Sequence, residues 1–265
     1  VGALTGTSYR FRARPFDLVS VDSACEHCAS GCAMRTDIRR GKTLRRLAGD
    51  DASVNEEWNC DKGRWAFKYL TSRERVTSPM IRGEDGELHE ASWPEAIAFA
   101  ASGLKGKRAG VLVGGRATVE DAYGYSKFAR VALGTNDIDF RSRPYSEEET
   151  SFLSSTALGL KTTYKDIDKA DQVVLLGFEP EEESPIVFLR IYKQFRKRAL
   201  KVVSDAPVAS RGSVKLNAEL VSDIKSISGL TSKSVILVGE RLSEKVGALS
   251  CAVDLAEKSG AKLAW

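Results

Sequence analysis

The chain has 265 residues, of which 42% are hydrophobic and 29% charged, a composition that is typical of a globular protein and excludes intrinsic disorder, collagen-like repeats and a coiled coil. Its 40 Lys and Arg residues and 36 Asp and Glu residues give a net charge of +4 and are scattered along the chain, so we do not expect a nucleic-acid binder. Because no apolar run approaches the roughly 18 to 20 residues of a membrane-spanning helix, the sequence predicts a soluble chain, or one that is peripheral to a membrane.

The N-terminus shows no targeting signal. The chain starts at Val1 and continues with neither a charged n-region nor an apolar h-region, so no secretory leader is visible. We interpret the sequence as a piece of a longer polypeptide, and we expect it in a reducing compartment, where disulfides are rare.

Four of the five cysteines lie in the first quarter of the chain, at Cys25, Cys28, Cys32 and Cys60. The spacing C-x2-C-x3-C-x27-C places three thiols in one tight loop, which is typical of a metal or iron-sulfur site and not of disulfides. Structural zinc ligands usually come in two similar pairs. The triplet followed by one remote cysteine therefore favours a [4Fe-4S] cluster, with a four-cysteine zinc site as the alternative.

Two further residues are weaker candidates for this site. His27 lies between two of the cysteines, and we expect it to modulate a cluster more than to bind it. The fifth cysteine, Cys251, is isolated in an apolar stretch, and we interpret it as a small buried hydrophobic residue.

A small β-rich module is predicted around the four cysteines, over residues 18–75. Its predicted elements are a strand over 17–23, a hairpin with strands over 34–40 and 43–47, and a helix over 61–70 that opens at Cys60. A module of this size is too small to be stable without its metal or a neighbouring domain.

Strands and helices alternate through residues 76–265, which predicts a parallel, doubly wound sheet. The predicted strands are 109–113, 172–177, 201–204, 234–238 and 262–265. The predicted helices are 92–101, 118–134, one that starts at 146, 184–199 and 242–258. Ligands bind at the carboxyl ends of such strands, so the loops at 114–115 and 177–185 are candidate nucleotide positions, although neither carries a recognised phosphate-binding motif.

The cysteine spacing, followed by Asp61-Lys62-Gly63 and then by the α/β body, resembles the molybdopterin oxidoreductase superfamily. Residues 59–65, 120–123 and 177–181 are similar to the large iron-sulfur subunits of bacterial NADH:quinone oxidoreductases, the respiratory complex I enzymes. The resemblance is specific up to about residue 205 and only general over 206–265. It implies that residues 1–17 are the tail of an upstream ferredoxin-like region and that the α/β domain is incomplete.

Within this resemblance the chain departs from the working molybdenum enzymes at the metal ligand. Thr135-Asn136-Asp137-Ile138-Asp139 and Arg143 match a formate dehydrogenase segment. Tyr145, however, stands at the place of the metal-binding Cys or selenocysteine, and Ser146 at that of the assisting His. A phenol with a pKa of about 10 is a poor substitute for a soft thiolate ligand, so no molybdopterin is expected.

The loop at residues 177–185 departs from the same enzymes. Glu179 replaces an Asn and Ser184 a His, and Glu181-Glu182-Glu183 stand between them. Four carboxylates would repel the phosphates of a dinucleotide pterin. Acidic residues at a helix N-terminus are also favourable in the absence of any cofactor, and this alternative stays open.

The resemblance implies an iron-sulfur electron-transfer and scaffold fragment of a proton-pumping NADH:quinone oxidoreductase. One [4Fe-4S] cluster is bound by Cys25, Cys28, Cys32 and Cys60, with Lys62 near it. The implied partners are other subunits of the peripheral arm on the cytoplasmic side of a bacterial membrane. The resemblance also implies that NADH and quinone bind elsewhere in the complex and that the chain reaches the membrane only through partner subunits. The isolated chain is therefore not expected to be catalytic. An active molybdopterin oxidoreductase and a zinc module are the alternatives.

Overall fold

The computed structural model of the protein describes residues 4–265, which form two compact units. The first unit combines the chain up to Phe67 with Tyr145–Trp265, and the second is the intervening segment Lys68–Pro144. Residues 1–3, which belong to the predicted N-terminal tail, lie outside the described residues.

An antiparallel sheet of three strands opens the first unit, as the sequence predicts. Its strands are β1 Val19–Ala24, β2 Ala33–Arg39 and β3 Lys42–Ala48, in the order β1-β2-β3. The two turn residues between β2 and β3, Arg40 and Gly41, both have positive φ. This turn geometry matches the right-handed twist of the flanking strands and fixes the hairpin.

Helix α1, Asp61–Trp65, begins after Cys60 and continues as the 3₁₀ helix Ala66–Thr71, which confirms the helix predicted over 61–70. Phe67 is buried, as are Met34 and Cys32 of the sheet region. The apolar core of this module is small, and its dependence on a metal or on its neighbours for stability stays a prediction.

The second unit contains two small sheets and two helices. The elements are the antiparallel pair β4 Met80–Arg82 and β5 Leu88–Glu90, helix α2 Trp93–Leu104, helix α3 Val119–Phe128, and the parallel pair β6 Val111–Leu112 and β7 Ile138–Asp139. Ser92 with Glu95 and Thr118 with Asp121 form capping boxes at the starts of α2 and α3, the positions where the sequence predicts these two helices to begin.

The prediction of a buried strand over 109–113 is wrong. Strand β6 has two residues, Leu112 is 72% exposed, and β6 pairs with β7 in a sheet of its own. An apolar run shows that a strand could be buried, but a strand is buried only where other elements cover both faces of its sheet. Within residues 4–265, β6 is not a strand of the large parallel sheet.

The rest of the first unit is a parallel sheet with helices. Its strands are β8 Gln172–Leu176, β9 Lys201–Asp205, β10 Glu219–Val221, β11 Val235–Val238 and β12 Lys262–Ala264. Its helices are α4 Glu147–Ser151, α5 Tyr164–Lys169, α6 Pro180–Glu183, α7 Pro185–Arg198, α8 Arg211–Lys215 and α9 Ala248–Ser259. The spatial order β10-β9-β8-β11-β12 is all parallel and reverses direction at β8. This is the doubly wound arrangement that the sequence predicts, with its switch point between β8 and β11.

The central strands β8 and β11 are buried on both faces of this sheet, which explains why their sequences are nearly continuously apolar. Val174 and Ile236 contribute to the hydrophobic core on one face, and Val173 and Val235 to the core on the other. All five residues of β8 are buried.

The predicted helix over 242–258 is divided in the structure. A 3₁₀ helix, Glu240–Glu244, ends before α9, and Gly247 with a φ of 76° precedes α9. The remaining short elements are 3₁₀ helices at Pro15–Asp17, Ala157–Gly159 and Ile224–Ser226 and π-helical segments at Ala129–Leu133 and Phe152–Thr156. No helix in residues 4–265 combines the length and the apolar character needed to cross a membrane.

Candidate metal centre

The three clustered cysteines lie in the loop that joins β1 to β2. The backbone N–H of Cys25 donates to the carbonyl of Cys32 over 2.9 Å, which closes the loop at the end of the β1-β2 ladder. Gly31 has a φ of 71°, a conformation that glycine adopts without strain. The loop therefore presents Cys25, Cys28 and Cys32 from a single turn of chain.

The fourth cysteine reaches the same region because a buried asparagine ties its segment to the sheet. Asn55 is 1% exposed and its side-chain amide bonds both the N–H and the carbonyl of Ala33, at 2.8 and 3.1 Å, and the carbonyl of Trp58, at 2.8 Å. Cys60 follows as the N-cap residue of α1. The sequence prediction missed Asn55, because a single Asn in a polar loop carries no pattern that distinguishes it from solvated residues.

Gly63 lets α1 approach the cysteine loop. A Cβ atom at this position would lie 3.3 Å from Cys25 Sγ and 3.6 Å from Met34 Cε. The first distance is tight and the second is an ordinary van der Waals contact, so the glycine in the Asp61-Lys62-Gly63 motif has a packing role beside a predicted ligand.

The thiols of the four cysteines affect each other electrostatically. The pKa of Cys25 is raised, and that of Cys32 is raised to about 12. Burial is the largest cause in both cases, and the nearby thiols of Cys28 and Cys60 contribute in the same direction. The backbone N–H of His27 acts in the opposite direction on Cys25. Thiolates in this loop are thus unfavourable in the protein alone, and a cationic metal group would reverse that balance.

This donor set fits an iron-sulfur cluster. Thiolates are the ligands of such clusters, and the five cysteines are all free thiols. In residues 4–265 no group of three or more His, Cys, Asp or Glu side chains is arranged to hold a metal ion. In a [4Fe-4S] cluster each cysteine binds a different iron, so the ligands stand further apart than those of a single zinc ion.

The other candidate residues have defined surroundings. The imidazole Nε2 of His27 lies 3.5 Å from Glu26, and Glu26 also pairs with Arg46 at 2.8 Å. The Nζ of Lys62 donates to the carbonyl of Glu182 over 3.3 Å. Cys251 is half-buried on α9 and packs against the core of the parallel sheet. Lys62 thus connects α1 to the loop that follows β8.

Buried polar contacts join the cysteine loop to the α/β part of the same unit. Tyr164 donates to the carbonyl of Ser30 over 2.8 Å, and the hydroxyl of Ser30 hydrogen-bonds that of Ser184. Arg190 is 5% exposed. Its guanidinium donates to the carbonyls of Ala52 and Val54, at 3.0 and 2.8 Å, and to Asp168 at 2.6 Å. The sequence prediction missed these contacts, because they join residues that are far apart in the chain.

The switch point of the parallel sheet, where a nucleotide could bind, is closed by its own backbone. A Cβ on Gly177 would lie 2.9 Å from Leu242 Cα, and one on Gly239 would lie 2.9 Å from Phe178 Cα. Leu242 itself is fully buried. The loops after β8 and β11 therefore pack directly on each other.

The carboxylates of this loop are paired with basic side chains. Glu181 pairs with Arg211 at 3.0 Å and with Lys215, and Glu183 pairs with Arg241 at 2.7 Å. Lys215 and Arg211 hold the pKa of Glu181 below its usual range. The sequence prediction considered the acidic residues alone and missed these basic partners, two of which lie on α8.

Tyr145 and Ser146 stand in the sequence at the places of the molybdenum ligand and its assisting His, and the structure gives each of them different surroundings. Tyr145 is 58% exposed. The hydroxyl of Ser146 accepts from the N–H of Glu149 over 3.1 Å and caps α4. Together with the closed switch point, these residues do not fit a bound molybdopterin.

Two family models match the chain. The molybdopterin oxidoreductase Fe4S4 domain matches residues 18–72, and molybdopterin oxidoreductase matches residues 75–231. The chain belongs to the molybdopterin oxidoreductase family. The match over 18–72 confirms the expectation of an iron-sulfur cluster in this part of the chain.

Individual relatives confirm the resemblance to the large iron-sulfur subunits of these enzymes. The NADH-quinone oxidoreductase G subunit of Mycobacterium bovis is 55% identical, and that of Streptomyces coelicolor is 48% identical, each over all of this chain and 36% of the relative. The chain thus spans about a third of the length of the curated relatives that it matches. Acetylene hydratase from Pelobacter acetylenicus matches in structure with a TM-score of 0.51 at 16% identity, over 73% of this chain and 28% of that one. The last match concerns the fold alone and confirms the predicted fold class.

Proposed function

We propose that the chain is an iron-sulfur electron-transfer and scaffold fragment of a bacterial NADH:quinone oxidoreductase and holds one [4Fe-4S] cluster. The observation that carries the proposal is the loop of Cys25, Cys28 and Cys32 with Cys60 beside it, whose thiols influence one another's pKa values. Such a cluster exchanges one electron at a potential that its protein surroundings set.

We assign the chain to three regions. Residues 1–17 are the end of an upstream ferredoxin-like region, 18–75 are the cluster domain, and 76–265 are an incomplete α/β domain without pterin. The four cysteines are the ligands, and Lys62 is a residue near the cluster. The absence of pterin is supported by Tyr145 at the ligand position, since a phenol is a poor ligand for a soft metal.

The partners follow from the same assignment. They are other subunits of the peripheral arm, on the cytoplasmic side of the membrane. NADH and quinone bind to those partners, so the isolated chain has no turnover of its own. By its resemblance to such subunits, we expect this cluster to contribute to the stability of the complex more than to electron flow.

The test is the iron, zinc, molybdenum and acid-labile sulfide content of the full chain, purified anaerobically. We expect about four irons and four sulfides per chain and no molybdenum. Zinc without sulfide would leave only a structural zinc module. Stoichiometric molybdenum would show that the interpretation of Tyr145 is wrong.

Cysteine variants assign the ligands. Cys60→Ser should lose most of the iron and the brown absorbance, because a serine hydroxyl cannot replace a thiolate ligand at neutral pH. Cys251→Ser is the matched control and should keep both, since Cys251 packs against the core of the parallel sheet. Loss of iron from both variants to the same extent would contradict the ligand assignment.

A further inference from the structure

We propose that Ser30 and Ser184 form a hydroxyl relay that donates a hydrogen bond to Cys28 and so raises the reduction potential of the cluster. The inference rests on the proposed function, because it needs Cys28 as a cluster ligand. It assigns a tuning role to two serines that take no part in binding the iron.

The contact between the relay and the ligand is direct. Cys28 Sγ lies 3.3 Å from Ser30 Oγ, and in the protein alone the thiol donates to that oxygen. A cysteine that binds iron is a thiolate and has no hydrogen to donate. The same contact then requires the Ser30 hydroxyl as the donor and Cys28 Sγ as the acceptor.

In the proposed relay, Ser184 donates to Ser30 and so sets the direction of the Ser30 hydroxyl. The two hydroxyl oxygens are hydrogen-bonded, and either of them can be the donor. If Ser184 donates to Ser30 Oγ, the hydrogen of Ser30 is available for Cys28. Ser30 is 4% exposed and Ser184 is 9% exposed, so bulk water does not compete strongly for these groups.

The position of Ser184 at the start of a helix also favours negative charge on the cluster. Ser184 is the N-cap residue of α7, a helix of 14 residues, and the N-terminus of a helix carries a partial positive charge. This charge and the hydrogen bond both stabilise the more negative, reduced state of the cluster. Loss of the relay should therefore make reduction harder.

The experiment is an anaerobic redox titration of the full chain, followed by electron paramagnetic resonance. Iron and sulfide content are measured on every variant. Ser30→Ala should shift the midpoint potential to a more negative value by an amount that corresponds to roughly a tenfold change in the reduction equilibrium, about 59 mV for one electron. Ser184→Ala should shift it in the same direction by less, because Ser30 keeps its hydroxyl.

Two controls separate tuning from packing. Ser30→Thr keeps the hydroxyl and should keep the wild-type midpoint. Ser23→Ala removes a hydroxyl that bonds Met34 and Thr36 in the same module, and should also leave the midpoint unchanged. Equal shifts in Ser30→Ala and Ser30→Thr would overturn the relay and indicate a packing effect.

The outcomes distinguish this inference from the proposed function. A wild-type chain without iron and sulfide would contradict the proposed function itself. An intact cluster whose midpoint is the same in wild type and Ser30→Ala would contradict the relay alone. If Ser30→Ala does not retain a cluster, Ser184→Ala decides, and an unchanged midpoint in that variant overturns the inference.

Discussion

The cysteine loop and the switch point of the parallel sheet are both places where this fold can bind a cofactor, and they differ in how their charges are balanced. In the cysteine loop, burial and mutual repulsion raise the pKa values of Cys25 and Cys32. At the switch point, Glu181 and Glu183 are paired with basic side chains of the same unit. A cationic ligand would stabilise the thiolates of the cysteine loop. At the switch point, basic side chains already stabilise the carboxylates of Glu181 and Glu183.

Packing shows the same difference. Gly63 lets α1 approach the thiol of Cys25, a predicted ligand, whereas Gly177 and Gly239 let the backbones of two loops approach each other. The glycine beside the cysteine loop therefore makes room for a side chain, and the two at the switch point make room for backbone. The comparison teaches that two regions of one compact unit can differ in both charge balance and packing.

The largest expected effect tests whether the cysteine module depends on the α/β part. Arg190→Ala leaves the carbonyls of Ala52 and Val54 and the carboxylate of Asp168 without their guanidinium partner. We expect a loss of about 3 kcal/mol in the free energy of unfolding, because two backbone carbonyls lose hydrogen bonds to a charged group, each worth about 1.5 to 3 kcal/mol, and Asp168, whose side chain is 28% exposed, loses its partner. Urea denaturation measures this loss, and the variant should also release iron faster to a chelator.

The matched control is Lys193→Ala on the same helix. Lys193 pairs with Glu56 at 2.9 Å, but its side chain is 57% exposed, and exposed pairs contribute about 0.2 to 1 kcal/mol. If Arg190→Ala unfolds at the same urea concentration as Lys193→Ala, the module does not depend on this contact.

The second prediction compares two helical glycines. Gly63→Ala places a Cβ 3.3 Å from Cys25 Sγ, whereas Gly124→Ala in α3 meets no atom within 4 Å. Alanine favours a helix over glycine by roughly 1 kcal/mol, so Gly124→Ala should raise the melting temperature. Gly63→Ala should instead lower the iron content or the melting temperature, because the extra methyl group crowds the ligand loop. An equal gain in stability at both positions would mean that Gly63 has no packing role.

The sequence predicted much of the fold and the candidate cysteine ligands, but not the contacts that hold the cysteine loop in place. Strands β8, β9 and β11 depend on local patterns, and these predictions agree with the structure. The cysteine spacing is also a local pattern, and the ligand set that it indicates stays a prediction. Asn55 and Arg190 act through contacts with distant or irregular segments, which no local pattern records. Strand β6 shows that a local pattern can also mislead: its residues are apolar like those of a buried strand, yet Leu112 is exposed.

The smallest effect concerns the balance of charge at the switch point. Lys215 and Arg211 lower the pKa of Glu181, so its carboxylate stabilises the folded state above the unfolded pKa of about 4.3. This contribution is lost as the pH falls through the lower, folded pKa. Glu181→Gln should therefore reduce the free energy of unfolding by up to about 1 kcal/mol at pH 7, and the difference from wild type should shrink at acidic pH.

Thermal unfolding of wild type and variant between pH 7 and the acid range measures this difference, and any loss of cluster in acid affects both proteins alike. Glu182→Gln is the control: its side chain is 70% exposed and lies 3.7 Å from Arg211, so its effect should be near zero at every pH. Iron content should not change in either variant, because the charges at the switch point are balanced without the cluster. A Glu181→Gln chain that loses iron as readily as Arg190→Ala would show that the two regions are coupled, and the contrast between them would then be wrong.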